Sequence, residues 1–358
     1  MYNLEERNQK IIDAVLEREK RLCSGSVDLI GIYGSFQTGD THTLSDLDLL
    51  IVIRCDSGRK LARAFIQDDL GVGHDIYCTY WDDLRRDAKY THPHISKLMD
   101  SRIVYCADAK CPKELETLRD QVRKILAAPF CPEDFERAGK ALAEARQYYA
   151  LAMLADDLTE ARKAAGGMLY HLENSVALLN KTYFRLGVKR RCQELGAMEK
   201  KPEDLCRMIG DAVTADDIPS LTDCLTRIMK ETGRVFESEK ASLKTEKRPA
   251  DAGSLEGTYE EMVSNWRGKM TSAAQTGDRY TAFSSVVSLQ DMLDEISGEI
   301  AIGHYDAVGC YAPGDLRKTA EDIDSLLESY LEEYRRAGLA VRRYPDIEAF
   351  ADDYAGKE

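Results

Sequence analysis

Between Gly31 and Ile53 the chain places a Gly34-Ser35 turn ahead of a Ser45-Asp46-Leu47-Asp48 run. Gly34 can take backbone angles closed to other residues, and Ser35 offers a hydroxyl and an amide at a helix start, where phosphate oxygens are favoured. Asp46 and Asp48 stand two residues apart in a segment that becomes wholly apolar, so strand geometry sets both on one face. Two carboxylates held that close repel unless a cation neutralises them. Oxygen ligands of this kind suit Mg²⁺, which completes its octahedron with substrate phosphates and water. Asp75 offers a third carboxylate: it lies in Gly73 to Tyr80, which alternates polar and apolar residues like a half-buried neighbouring strand. The chemistry expected is a phosphate cradle beside a metal centre, with Asp46, Asp48 and Asp75 holding two Mg²⁺ ions.

The elements that must position these residues follow from periodicity. Asp28 to Tyr33 is a short apolar, β-branched run ending at Gly34, which predicts a buried strand leaving its sheet at a turn. Leu44 to Ile53 reads as the next strand. Leu4 to Leu22 reads as an amphipathic helix, with Ile11, Ile12, Val15 and Leu16 on its apolar side. A helix over Arg59 to Asp68, a strand at Arg102 to Cys106 and a helix over Lys113 to Ala127 complete a mixed α and β domain at residues 1–128. Beyond Pro129 and Pro132 the pattern is helical: Phe135 to Leu154, Leu158 to Leu186, Pro202 to Val213 and Ile218 to Glu239 make a helical bundle domain at 129–240. Residues 241–257 are polar and read as a linker. Helices at Tyr259 to Gln275, Ala282 to Ile302 and Leu316 to Arg336 form a C-terminal helical domain, 258–358, which faintly echoes the first bundle. The fold class is α+β, a mixed-sheet domain followed by helical bundles.

The Gly34-Ser35 turn, the Asp46-Leu47-Asp48 motif and the later strand carboxylate Asp75 resemble the nucleotidyltransferase superfamily of the DNA polymerase β type. Glu133 to Lys140 (Glu-Asp-Phe-Glu-Arg-Ala-Gly-Lys) and the Thr91-His92 segment are similar to the aminoglycoside-modifying, kanamycin-type nucleotidyltransferases, and that resemblance spans roughly residues 30–240. It implies a Mg²⁺-dependent transfer of a nucleoside monophosphate, AMP from ATP or from another nucleoside triphosphate, to a hydroxyl of a small molecule, with release of pyrophosphate. It further implies that Gly34 and Ser35 bind the outer phosphates, that Glu136 is the general base and that Lys140 contacts phosphate. On spacing alone Glu136 and Lys140 read as an ordinary i,i+4 surface pair. The resembled enzymes carry an Arg where this chain has Thr38, and the segment after about Gly257 has no counterpart in them. Two other classes share the motif: antitoxin-type enzymes that adenylylate a partner protein, and non-catalytic nucleotide-binding modules.

Composition narrows the setting. The 358 residues, 44% hydrophobic and 31% charged, suit two or three globular domains. A formal net charge of -14 disfavours a nucleic-acid partner, because such binding draws on Lys and Arg, and is compatible with a cationic acceptor. Ten cysteines without a Cys-x-x-Cys pair indicate neither a zinc site nor a disulfide framework. No apolar run is long enough to span a membrane, and the N-terminus is not signal-like. A cytoplasmic monomer or homodimer is expected. His92, His94 and His171 read as structural or solvent-facing.

Overall fold

The computed structural model describes residues 4–243 and 247–356. It divides into two units, one ending at Leu243 and one beginning at Lys244. In the first unit, helix α1 (Leu4–Leu22) precedes strand β1 (Val27–Ile32), the short helix α2 (Ser35–Thr38) and strand β2 (Leu49–Ile53). Strands β3 (Arg63–Gln67), β4 (Val72–Ile76) and β5 (Cys78–Tyr80) follow, then helices α3 (Trp81–Asp87) and α4 (Ser96–Met99), strand β6 (Arg102–Cys106) and helix α5 (Lys110–Ala127). The main sheet has the order β5-β2-β1-β6, with β1 antiparallel to both neighbours and β5 parallel to β2.

Every residue of β1 and β2 is buried, because both faces of the sheet are covered. Leu29, Leu50 and Val52 pack on the helical side, whereas Ile30, Leu49, Ile51 and Ile53 pack with Ile12 and Val15 of α1 on the other. Helices α6 (Pro132–Met153), α7 (Leu158–Leu179), α8 (Arg191–Gly196), α9 (Leu205–Thr214) and α10 (Ile218–Ser242) share the first of these cores, so sheet and bundle are one packed body. In α6 and α7 the approach is close: a Cβ on Gly167 would meet the Tyr148 ring at 2.4 Å.

Two expectations are corrected. The helix foreseen over Arg59 to Asp68 is a single 3₁₀ stretch, Asp56–Leu61, followed by β3, which forms a hairpin with β4. Tertiary pairing outweighs the weak local helical spacing there, and Gly71 closes the turn at a φ of 65°. The strand foreseen from Leu44 begins only at Leu49, because Thr43 and Leu44 form a turn closed by His42 and Ser45, and Ser45 to Asp48 form no assigned strand.

The second unit contains α11 (Ala252–Leu255), α12 (Thr258–Met262), a π-helical turn at Val263–Arg267, α13 (Gly268–Thr276), α14 (Arg279–Glu299), α15 (Leu316–Arg336) and α16 (Ile347–Tyr354). Its own core gathers Leu255, Met262, Leu289, Ile323, Leu327 and Tyr330. Of the expected linker, residues 244–246 lie outside the described residues. The rest includes the end of α10 and all of α11, whose Leu255 is wholly buried. No helix among the described residues is long and apolar enough to cross a membrane.

Candidate active site

The ladder between β1 and β2 runs one bond beyond the strands, from the Tyr33 amide to the Asp48 carbonyl at 3.1 Å, and the chain then turns sharply at Gly34. Gly34 has a φ of 69°, and a Cβ there would lie 1.9 Å from Asp48 Oδ2. Only glycine lets the turn and the carboxylate occupy this space. The neighbouring Ser35 backbone amide favours the ionised form of the Asp48 carboxylate. Turn and carboxylate thus stand in close contact.

The segment before β2 alternates as its sequence predicts. Ser45 and Leu47 are buried, and Asp46 and Asp48 lie on the opposite, more open side. Ser45 shapes the loop: its hydroxyl accepts from the His42 amide at 3.0 Å, and its carbonyl accepts from buried Arg7 Nη2 at 2.6 Å. Burial pushes the Asp48 carboxyl up to about 6, and the Asp46 charge adds to the rise, while the Ser35 amide opposes it. Tyr33 is also raised, first by burial and then by Tyr77, with which it shares a phenol-to-phenol hydrogen bond, and by Asp48 and Asp46.

Gly34, Ser35, Asp46 and Asp48 line one cavity of about 490 Å³. Its opposite wall is Gly187 to Arg190, the segment between α7 and α8. There Arg190 Nη1 donates to both oxygens of Asp40, at 2.6 and 2.7 Å, and Lys189 Nζ donates to His42 Nε2. The Asp40 carboxyl is held below its ordinary value by its hydrogen bonds to Arg190 and Thr38. Lys189 and Arg190 were not singled out from the sequence. Their signal is the run Lys189-Arg190-Arg191 in an acidic chain.

Asp75 does not line this cavity. It lies exposed on β4, opposite Ala64 of β3. The parallel register of β2 and β5 pairs Ile51 with Cys78, and Asp48 and Asp75 each precede that pair by three residues. Carried backward, this register would set the two carboxylates level. The chain instead pairs with β3 there. Among the described residues no three His, Cys, Asp or Glu side chains stand together as a metal-holding group.

Glu136 and Lys140 lie on α6 and line a second cavity, about 670 Å³, with Thr91, His94, Tyr170 and His171. Both are exposed and form no ion pair among the described residues. The fixed acid of that helix is Asp134, buried and bonded to Arg137 at 2.7 Å and Lys181 at 2.8 Å. His94 Nε2 donates to Asn174 Oδ1 at 2.8 Å and its ring stacks on Tyr170 with centroids 5.2 Å apart; His171 pairs with Glu144 at 2.7 Å. The segment joining the cavities is compact: Phe184 packs against His94, and the Arg191 guanidinium sits 3.4 Å above the Phe184 ring centroid.

Residues 9–106 match the nucleotidyltransferase domain family. The match contains Gly34, Ser35, Asp46, Asp48 and Asp75, so the nucleotidyltransferase domain coincides with the sheet and α1. No curated protein sequence matches the chain. Among solved structures the chain is similar to a nucleotidyltransferase-like protein from Exiguobacterium sibiricum 255-15, with 9% identity, a TM-score of 0.34, and coverage of 94% of this chain and 95% of that one. The nucleotidyltransferase domain supports a general nucleotidyl-transfer activity on a nucleoside triphosphate.

Proposed function

We propose that this chain moves a nucleoside monophosphate, AMP from ATP, onto a hydroxyl of a small molecule and releases pyrophosphate. The observation that carries the reading is the contact of the Gly34-Ser35 turn with Asp48, beside Asp46 and across a cavity from Lys189 and Arg190. The donor set fits Mg²⁺: Asp48 is a half-buried carboxylate made unfavourable by burial and by a like charge, the environment that a hard cation relieves. Asp46 and Asp48 would hold the ion, which when bound supplies charge neutralisation at the triphosphate and a more acidic acceptor hydroxyl.

The remaining roles belong to the chain's own groups. Gly34 permits the carboxylate to approach the turn, and the Ser35 amide favours its ionised form. Lys189 and Arg190 offer ammonium and guanidinium donors to phosphate oxygens from the opposite wall, the role the resemblance assigned to Lys140. Glu136, in the neighbouring cavity, takes the acceptor proton, a role typically worth about 10² to 10⁴ in rate. Glu133 and Glu144 line the same cavity, which suits a cationic acceptor of the aminoglycoside type.

Purified protein assayed with Mg²⁺, each nucleoside triphosphate and a panel of aminoglycosides and lincosamides should release pyrophosphate with one acceptor class. Glu136→Gln should lower kcat while nucleotide affinity holds. An unchanged kcat would remove Glu136 from the reaction. Asp75→Ala, assayed beside Asp48→Ala, decides whether Asp75 joins the metal set when substrate binds: retained turnover would restrict the set to Asp46 and Asp48.

A further inference from the structure

A third cavity, about 610 Å³, lies between α1 and the β3-β4 hairpin, outside the Asp46-Asp48 site. Four cationic side chains line it, Arg7, Lys10, Arg18 and Arg63, against the single carboxylate of Glu6, which pairs with Lys10 at 2.8 Å; Arg7 and Arg18 donate to the Ser45 and Lys60 carbonyls, which carry no counter-charge. Its floor is apolar, formed by Ile11, Leu61 and Ile76, and Phe65 supplies a flat wall, stacked on buried His74 with centroids 4.8 Å apart. Arg63 has no hydrogen-bond or ion-pair partner among the described residues. Gathering cations around an apolar floor is unfavourable by mutual repulsion, and it is unexpected in a chain of net charge -14. A small anion relieves the repulsion, and the floor rewards an apolar body attached to it. The volume falls within the range of about 300 to 1,000 Å³ usual for small-molecule sites.

We propose that this cavity binds a small amphiphilic anion, an apolar body carrying one carboxylate or phosphate head, with Arg63 and Arg18 facing the head and Ile11, Leu61 and Phe65 the body. The site does not depend on the transfer reaction, so its test does not use activity.

Isothermal titration calorimetry on the full chain, with each probe below its critical micelle concentration, tests it. Decyl phosphate and decanoate should bind saturably, and at least one should bind about tenfold more tightly than decanol or inorganic phosphate. Arg63→Glu should weaken that binding about tenfold with the melting temperature preserved. Ala14→Trp, at an exposed position lining the cavity, should block binding by filling the space and stands if the charge variant misfolds. The stronger of the two anionic probes identifies the head group. Equal affinity for decanol, undiminished binding in both variants, or binding only to anionic lipid vesicles would overturn the proposal.

Discussion

At the scale of single residues, the site turns on a contact between a glycine and a carboxylate. Gly34→Ala forces a Cβ onto Asp48 and into a left-handed backbone angle, and should cost about 1 to 3 kcal/mol in denaturant unfolding and most of the transferase activity. Asp48→Asn removes the charge that burial and Asp46 disfavour. The metal-free protein at neutral pH should therefore melt at a higher temperature, while pyrophosphate release falls to background; a lower melting temperature would contradict the repulsion argument. These residues were legible in the sequence because their chemistry is local, a glycine turn and an Asp-x-Asp motif close in the chain. Lys189 and Arg190 were not, because Arg190 reaches Asp40 across a separation of 150 residues and nothing local marks that meeting. Arg190→Ala should raise KM for nucleotide several-fold with a smaller effect on kcat, read from initial rates.

At the scale of elements, the sequence gave way where pairing is non-local. α1 and α15 match their expected limits, since their apolar stripes bury against a core and declare themselves by period. The Arg59 to Asp68 segment has short apolar stretches that fit either geometry, and only the partner strand β4 decides it. Helix α6 shows a similar split: Glu136 drew attention by its motif, whereas Asp134 anchors the helix start. Burial works to raise the Asp134 carboxyl, but hydrogen bonds from Lys181 and Arg137 prevail and hold it below its ordinary value of 3.8. A carboxylate depressed in the folded state contributes stability that is present above its unfolded pKa and is lost as pH falls through the folded one. Asp134→Ala should therefore cost about 2 to 3 kcal/mol at pH 7, measured by urea unfolding, with the difference from wild type shrinking below about pH 4.

At the scale of the whole molecule, the mixed sheet and the helices to α10 share one core, which runs across the change from mixed to helical pattern near residue 128. The change from mixed to helical pattern was visible in the sequence, but shared burial across it was not. A chain ending at Leu243 should melt cooperatively and retain nucleotide binding, whereas one ending at residue 128 strips the cover from buried Tyr90 and from His94, which meet Thr182, Arg137, Tyr170 and Phe184, and should aggregate, as light scattering would show. Within this body the hold of Arg190 Nη1 on both oxygens of Asp40 has a kinetic meaning under the proposed function. Before nucleotide arrives, an internal acid already occupies the guanidinium, so it is held in shape as though a phosphate were present. On the proposed function, an incoming triphosphate would exchange with Asp40 rather than fill an empty hand. Asp40 would then act as a stand-in for the substrate, trading some affinity for a binding wall that is ordered in advance.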